Sequence, residues 1–204
     1  MGALEQERFY SEEEFWNLVL SSDTKYEYFD GRIFAMAGGT LNHSLIIENL
    51  SAVLKTKLRG KKCRSLGSNL HIKIVSKNVR VIPDNAIFCE SAQFEGEKRR
   101  ALLNPIVVFE VLSSQTETYD RREKFDLYKE ISSLRDYVLV SQDIVRVEHF
   151  SRRDDGWLLR TLTLPHQIVK LESVELEFSV ESLYDELDIP VQLTLLSTAQ
   201  GEDD

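Results

Sequence analysis

Cysteine and proline are scarce in this 204-residue chain, which holds two of the first and four of the second. Cys63 and Cys89 form no CxxC pair and have no metal-ligand spacing, which removes zinc-site and thioredoxin-type readings. Nothing points to an oxidising compartment, so two buried, reduced thiols in a cytoplasmic protein are expected rather than a disulfide. No apolar run approaches the roughly 18 residues of a membrane span. The N-terminal MGALEQERFYSEEEF has no basic patch leading into an apolar stretch, so no secretory signal and no membrane association are expected. Gln6 stands where a myristoylation signal needs Ser or Thr. The nucleophile elbow, the Walker loop and the dinucleotide fingerprint are all absent. Basic charge is also short. The net charge of −9 argues against a protein that coats nucleic acid non-specifically, though not against an enzyme whose carboxylates hold a metal. The basic runs at Lys55, Lys57, Arg59, Lys61, Lys62 and Arg64 and at Lys98, Arg99 and Arg100 read first as solvated faces.

The length suits one domain with a single sizeable core. One domain is expected over 1–190, with an extension or acidic tail over 191–204. Ser11-Glu12-Glu13-Glu14 has the form of a capping box and predicts a short helix to about Leu20, burying Phe15, Leu18 and Val19. Asp30-Gly31 between two alternating runs predicts a β-hairpin. Apolar residues at Leu45, Ile46, Leu50, Val53, Leu54 and Leu58 predict a long amphipathic helix over 41–58. Its apolar face, with the C-terminal strands, offers a candidate homodimer interface. Short strands follow near 63–66, 70–75, 79–82 and 86–89. The continuous apolar runs 106–112 and 136–140 predict strands covered on both faces. Between them, 118–130 reads as a polar helix anchored by Phe125 and Tyr128. Strands at 144–150, 158–164 and 174–178 and a short helix at 180–187 close the chain. The expected class is α+β: a mixed sheet flanked by helices, with extra antiparallel strands near the C-terminus.

Glu110 sits among Val108, Phe109, Val111 and Leu112. Burying an unpaired carboxylate costs several kcal/mol, so this one has either a metal or a structural ion-pair partner. Asp84 follows Pro83, which breaks a strand region; it reads as a strand-end ligand or as a turn aspartate. Lys124 lies four residues after Asp120 on one helix face, an arrangement that serves equally as a surface salt bridge. His43 opens the long helix, where anions are favoured; its other reading is a first-turn histidine exposed to solvent. His71, His149 and His166 have no ligand spacing and are expected to be structural.

The order Pro83-Asp84, then Glu110 in a buried strand, then Asp120 and Lys124 on the next helix resembles the PD-(D/E)XK nuclease superfamily. Leu112 stands where the usual pattern has its lysine, and Lys124 fits the branches that carry it on the following helix. The stretches 25–33, Asn42-His43, Ile82-Pro83-Asp84, 109–116 and 120–124 with Tyr128 are similar to the Uma-two family of putative restriction endonucleases, formerly a domain of unknown function. The resemblance implies a restriction-endonuclease-like fold and an endonuclease that cleaves nucleic acid, DNA ahead of RNA, with Mg²⁺ or Mn²⁺ as cofactor. It implies Asp84 and Glu110 as metal ligands and Lys124 beside the attacking water. Glu27, His43 and Asp120 would be auxiliary, Gln115 and Thr116 would touch substrate phosphate, and a homodimer would bring two sites to two strands. The alternative is a catalytically silent member that binds nucleic acid or a protein partner.

Overall fold

The computed structural model describes residues 8–36, 38–113 and 116–191. The expected tail lies almost wholly outside them. In chain order the elements are α1 (Glu12–Ser21), β1 (Tyr26–Phe29), β2 (Arg32–Ala35), α2 (Leu41–Lys57), β3 (Arg64–Gly67), β4 (His71–Ile74), β5 (Val79–Val81), β6 (Asn85–Phe88), β7 (Ala101–Leu102) and β8 (Val107–Leu112). Then come α3 (Glu117–Tyr119), a π-helical turn (Asp120–Lys124), α4 (Phe125–Lys129), β9 (Asp136–Ser141), β10 (Val147–Arg153), β11 (Gly156–Leu162), β12 (Ile168–Leu171) and β13 (Leu176–Ser179). Among the described residues no helix is long and apolar enough to cross a membrane.

The sequence signals explain the local structure. Ser11 Oγ accepts from the Glu14 N–H, and the Glu14 carboxylate accepts from the Ser11 N–H at 2.8 Å, so the capping box forms and starts α1. Phe15 is buried, while Leu18 and Val19 are only half-buried. Asp30 and Gly31 both have positive φ, 43° and 98°, as a two-residue hairpin turn of the primed kind requires. That turn joins β1 to β2 in the register Phe29 opposite Arg32.

A six-stranded sheet, β11-β10-β9-β8-β6-β3, forms the centre, mixed because β8 and β9 run parallel. A five-stranded sheet, β2-β1-β5-β4-β7, lies beside it, and β12-β13 is a separate antiparallel pair. The mixed central sheet, flanking helices and added C-terminal antiparallel strands are the architecture that the sequence implied. Alternation along β8 sends Val107, Phe109 and Val111 into one core and Val108 and Leu112 into the other. The first core is filled by Ile46, Leu50 and Leu54 of α2. Each such fully buried side chain contributes about 1.5–3 kcal/mol. The apolar face of α2 is therefore occupied by the chain's own core, which corrects its expected role as a dimer interface. The helix expected over 180–187 is only a 3-10 turn at Val180–Leu183.

The two cysteines correct a second expectation. Arg64 pairs with Phe88 at the end of the antiparallel β3–β6 ladder. One step further, Cys63 and Cys89 face each other with Cα atoms 3.9 Å apart and are joined in a disulfide. The crosslink closes a 26-residue separation, which restricts the unfolded chain by about 3 kcal/mol. Reduction, or a Cys63→Ser/Cys89→Ser double variant, is expected to lower the unfolding free energy by about that amount in urea titrations. An unchanged midpoint would contradict the crosslink.

Arg80, fully buried on β5, ties α1 to the smaller sheet: it donates to Glu12 at 2.6 Å and, through Nε, to Glu95 at 2.9 Å. Nearby, His71 is structural, as expected. Its Nε2 meets the Tyr26 carbonyl at 2.8 Å, and burial, reinforced by the Arg80 charge, holds its pKa below the usual range despite that bond. A folded-state pKa below the unfolded one contributes stability that is present above about 6.5 and lost as pH falls through the lower folded value. His71→Gln is thus expected to flatten the fall in urea midpoint between neutral and mildly acidic pH; an equal fall in both proteins would remove His71 as its source.

Candidate active site

Strand order brings four carboxylates and one ammonium to a single cavity of about 510 Å³. Glu110 projects from β8 on the face of Val108 and Leu112, with Leu139 of β9 as its parallel neighbour. Continuing the β6–β8 register one step past Asn85–Phe109 sets Asp84 opposite Glu110. Asp84 is fixed there by its own Oδ2, which accepts from the Val111 N–H at 2.7 Å. Glu27 enters from β1, and its Oε1 accepts from the Ile82 N–H at 3.0 Å. Glu27 is buried there.

The third wall is helical. Lys124 and Asp120 occupy the two ends of the π-helical turn between α3 and α4, and both are buried. The helix expected over 118–130 is therefore continuous but locally widened by a π-bulge, a distortion that often marks functional sites. Lys124 Nζ lies 2.8 Å from Glu110 Oε1, 3.7 Å from Asp120 Oδ1 and 3.8 Å from Glu27 Oε1. The surface-salt-bridge reading of Lys124 and Asp120 thus fails: the pair is 4% exposed on each side. Tyr128 of α4 donates its hydroxyl to Glu110 Oε1 at 2.9 Å, and Tyr137 donates to the Asp120 carbonyl at 3.0 Å.

The fourth wall is the start of α2. Thr40 caps the helix by accepting from the His43 N–H at 3.2 Å and donates to Gln142 Oε1 at 2.7 Å. His43 Nε2 lies 3.5 Å from Asp84 Oδ2. It is half-buried and turned toward a carboxylate, so the exposed first-turn reading does not hold. Gly39 permits this placement, since an added Cβ would stand 2.6 Å from His43 Nδ1. Thr116 also lines the cavity. Gln115 lies outside the described residues.

Electrostatics follow from burial. Desolvation, aided by the Asp84 and Asp120 charges, pushes the Glu110 carboxyl well above the usual carboxylate range, against the pull of Lys124. Desolvation likewise raises Asp120. Burial works against the Lys124 charge too, but Glu110, Glu27 and Asp120 outweigh it, and the ammonium keeps its proton. The hydrogen bond to Asp84 raises His43. The hydroxyl of Tyr119 is buried at the cavity wall with no hydrogen-bond partner among the described residues.

Three features fit a bound divalent cation. The carboxylates outnumber the ammonium in a desolvated site, and the Tyr119 hydroxyl is left for a ligand or water. Both donors to Glu110 converge on Oε1, and both groups facing Asp84 converge on Oδ2, which leaves the second oxygen of each carboxylate for a metal. Among the described residues no three His, Cys, Asp or Glu side chains converge tightly enough to enclose a metal alone. Such a set would suit only an open site, in which Mg²⁺ would take one or two carboxylates and complete its shell with water and substrate phosphate.

Asp84, Glu110, Lys124, Glu27, Asp120, His43 and Thr116 are thus gathered in one place. Sequence reasoning missed Thr40, Tyr119 and Gln142. Tyr119 had a local signal, its position just before Asp120; Thr40 and Gln142 meet only through tertiary structure. The basic runs at 55–64 and 98–100 do not line the cavity.

Comparison with known proteins places the chain's family and fold. The chain is 38% identical over 161 residues to the uncharacterized protein slr1290 of Synechocystis sp. (strain ATCC 27184 / PCC 6803 / Kazusa), covering 78% of this chain and 83% of that one. It is 31% identical over 156 residues to the uncharacterized protein sll1609 of the same organism, covering 76% and 84%. Its fold matches the crystal structure of a putative nuclease belonging to DUF820 from Anabaena variabilis ATCC 29413, with a TM-score of 0.67 at 19% identity over 84% of this chain and 95% of that one. The Uma2 model, described as "putative restriction endonuclease", matches residues 12–188. With that match spanning most of its length, the chain belongs to the Uma2 family of the restriction-endonuclease-like fold.

Proposed function

We propose that the chain is a divalent-metal-dependent endonuclease that hydrolyses phosphodiester bonds in nucleic acid, DNA ahead of RNA. The observation that carries this reading is the convergence of Asp84, Glu110 and Lys124 on one desolvated cavity, from strand end, buried strand and π-turn respectively. Asp84 and Glu110 would hold the ion. Mg²⁺ or Mn²⁺ bound there supplies charge neutralisation at the phosphate and lowers the pKa of a bound water. The Lys124 ammonium, kept charged by three carboxylates, stabilises negative charge that develops beside it. His43, with its proton favoured by Asp84, and the Thr116 and Tyr119 hydroxyls present donors for phosphate oxygens. Tyr128 holds Glu110 in orientation. The reading includes a homodimer, which brings two such cavities to two strands.

The test is cleavage of duplex and single-stranded DNA and RNA in Mg²⁺ or Mn²⁺, with EDTA as control. Metal-dependent internal cleavage of duplex DNA is expected. A second reading, an inactive nuclease-fold protein that binds nucleic acid or a protein partner, is favoured by one contact: Lys124 stands directly against Glu110, as a structural ion pair would. No cleavage of any substrate in either metal would favour that reading. Light scattering of the purified protein tests the dimer.

A further inference from the structure

A second pocket lies at the opposite end of β9 from the carboxylate cavity. Asp136, the first residue of β9, lines the pocket, while Gln142, just past the strand's end, lines the cavity. At about 3.3 Å per strand residue the two are roughly 20 Å apart. The pocket measures about 290 Å³ and gathers Arg135, Arg152, Arg153, Arg160 and Lys170, a strong local excess of positive charge in a chain of net charge −9.

The cations are held in an unusual way. Arg152 donates to the carbonyls of Lys129 at 2.7 Å and Ile131 at 3.1 Å, and its guanidinium lies 4.8 Å from the Trp157 ring centroid. Arg135 donates to the carbonyls of Ser132 at 2.8 Å and Leu134 at 3.3 Å. Main-chain carbonyls fix both guanidinium groups, and an indole also packs on Arg152, without cancelling their charge. Arg160 stands opposite His149 in the β10–β11 ladder and Lys170 opposite Glu177 in the β12–β13 pair, and neither forms a salt bridge among the described residues. The two acids of the pocket are already committed: Asp136 to His149 at 2.6 Å and to Ser173, and Glu172 to Arg153 at 3.5 Å. The Nε of Arg152 is buried with no acceptor among the described residues. A merely solvated basic face would leave its side chains extended into water. Here two pinned guanidinium groups, those of Arg135 and Arg152, line a concavity, and the planar guanidinium matches phosphate geometry.

We propose that this pocket binds a phosphate group, carried either by a free nucleotide or by a nucleic-acid backbone. The experiment uses metal-free protein in EDTA, where the carboxylate cavity repels anions. Inorganic phosphate and a nucleoside monophosphate are titrated by calorimetry against chloride of equal ionic strength, and a short duplex is titrated by anisotropy. The variant is Arg160→Ala/Lys170→Ala, two exposed side chains with no hydrogen bond or salt bridge among the described residues, so its unfolding midpoint should match the wild type. Asp84→Asn should bind as the wild type does, which separates this site from the nuclease reading. Loss of roughly ten-fold or more in affinity for phosphate and nucleotide is expected in the double variant. If duplex affinity falls with them, the backbone is the natural source; if duplex binding is unmoved, a free nucleotide is. Phosphate, nucleotide and duplex binding all unchanged in the variant, or absent in the wild type, would overturn the proposal.

Discussion

Asp84→Asn and Glu110→Gln are each expected to lower metal-dependent cleavage by about 10³-fold, a loss of roughly 4 kcal/mol of transition-state stabilisation. The amides are chosen because they keep the local fold. An amide oxygen at position 84 still accepts from the Val111 N–H, and one at position 110 still accepts from the Tyr128 hydroxyl, as the carboxylates do. What each variant loses is the negative charge that holds a cation. Single-turnover cleavage rates in saturating Mg²⁺, read beside thermal midpoints, separate the two effects. A rate close to wild type in either variant would remove that residue as a ligand.

Lys124→Met is expected to be the most destabilising single change at the site, by about 3–5 kcal/mol at neutral pH. Methionine keeps the volume but strips the ammonium that, among the described residues, stands alone between Glu27, Glu110 and Asp120. Burial already raises the Glu110 and Asp120 carboxyls above their unfolded values, and removing Lys124 raises them further. A carboxyl whose folded pKa is raised is stabilising below its unfolded value and loses that contribution as pH rises through the folded one. The Lys124→Met deficit should therefore be largest at neutral and alkaline pH and shrink toward pH values near 4, where isolated carboxyls protonate. Urea unfolding of both proteins across this range checks it. A deficit independent of pH would mean that lost packing, not charge, is responsible.

The fold was largely legible where one local signal settles the geometry. Asp30-Gly31 defines the hairpin because only such residues accept two successive positive φ values. The helical spacing of Ile46, Leu50 and Leu54 places α2, and the unbroken apolar runs around Glu110 and Val138 identify β8 and β9. β12 was missed because Ile168 faces outward and blurs the alternation that Val169 and Leu171 set up. The π-bulge was hidden because Asp120 and Lys124 have ordinary helical spacing. The disulfide could not be read from composition, since Cys63 and Cys89 become opposite only through the β3–β6 register.

The candidate site divides along the same line. Motif order named Asp84, Glu110 and Lys124, and the structure gathers them with Glu27, Asp120 and His43. That Glu27 is buried, that Gln142 anchors the start of α2 and that Tyr119 faces the cavity all depend on contacts between distant segments. The five cations of the second pocket come from beyond the π-turn, on β9's flank, β10, β11 and β12, and no sequence window holds them together.

The central claim is that Asp84 and Glu110 together hold a divalent cation. Anomalous diffraction from crystals soaked in Mn²⁺ tests it most directly. One manganese peak within about 2.0–2.6 Å of a carboxylate oxygen from each residue is the expected result. Saturating Mn²⁺ with no peak between the two carboxylates, in protein that still cleaves nucleic acid, would contradict it.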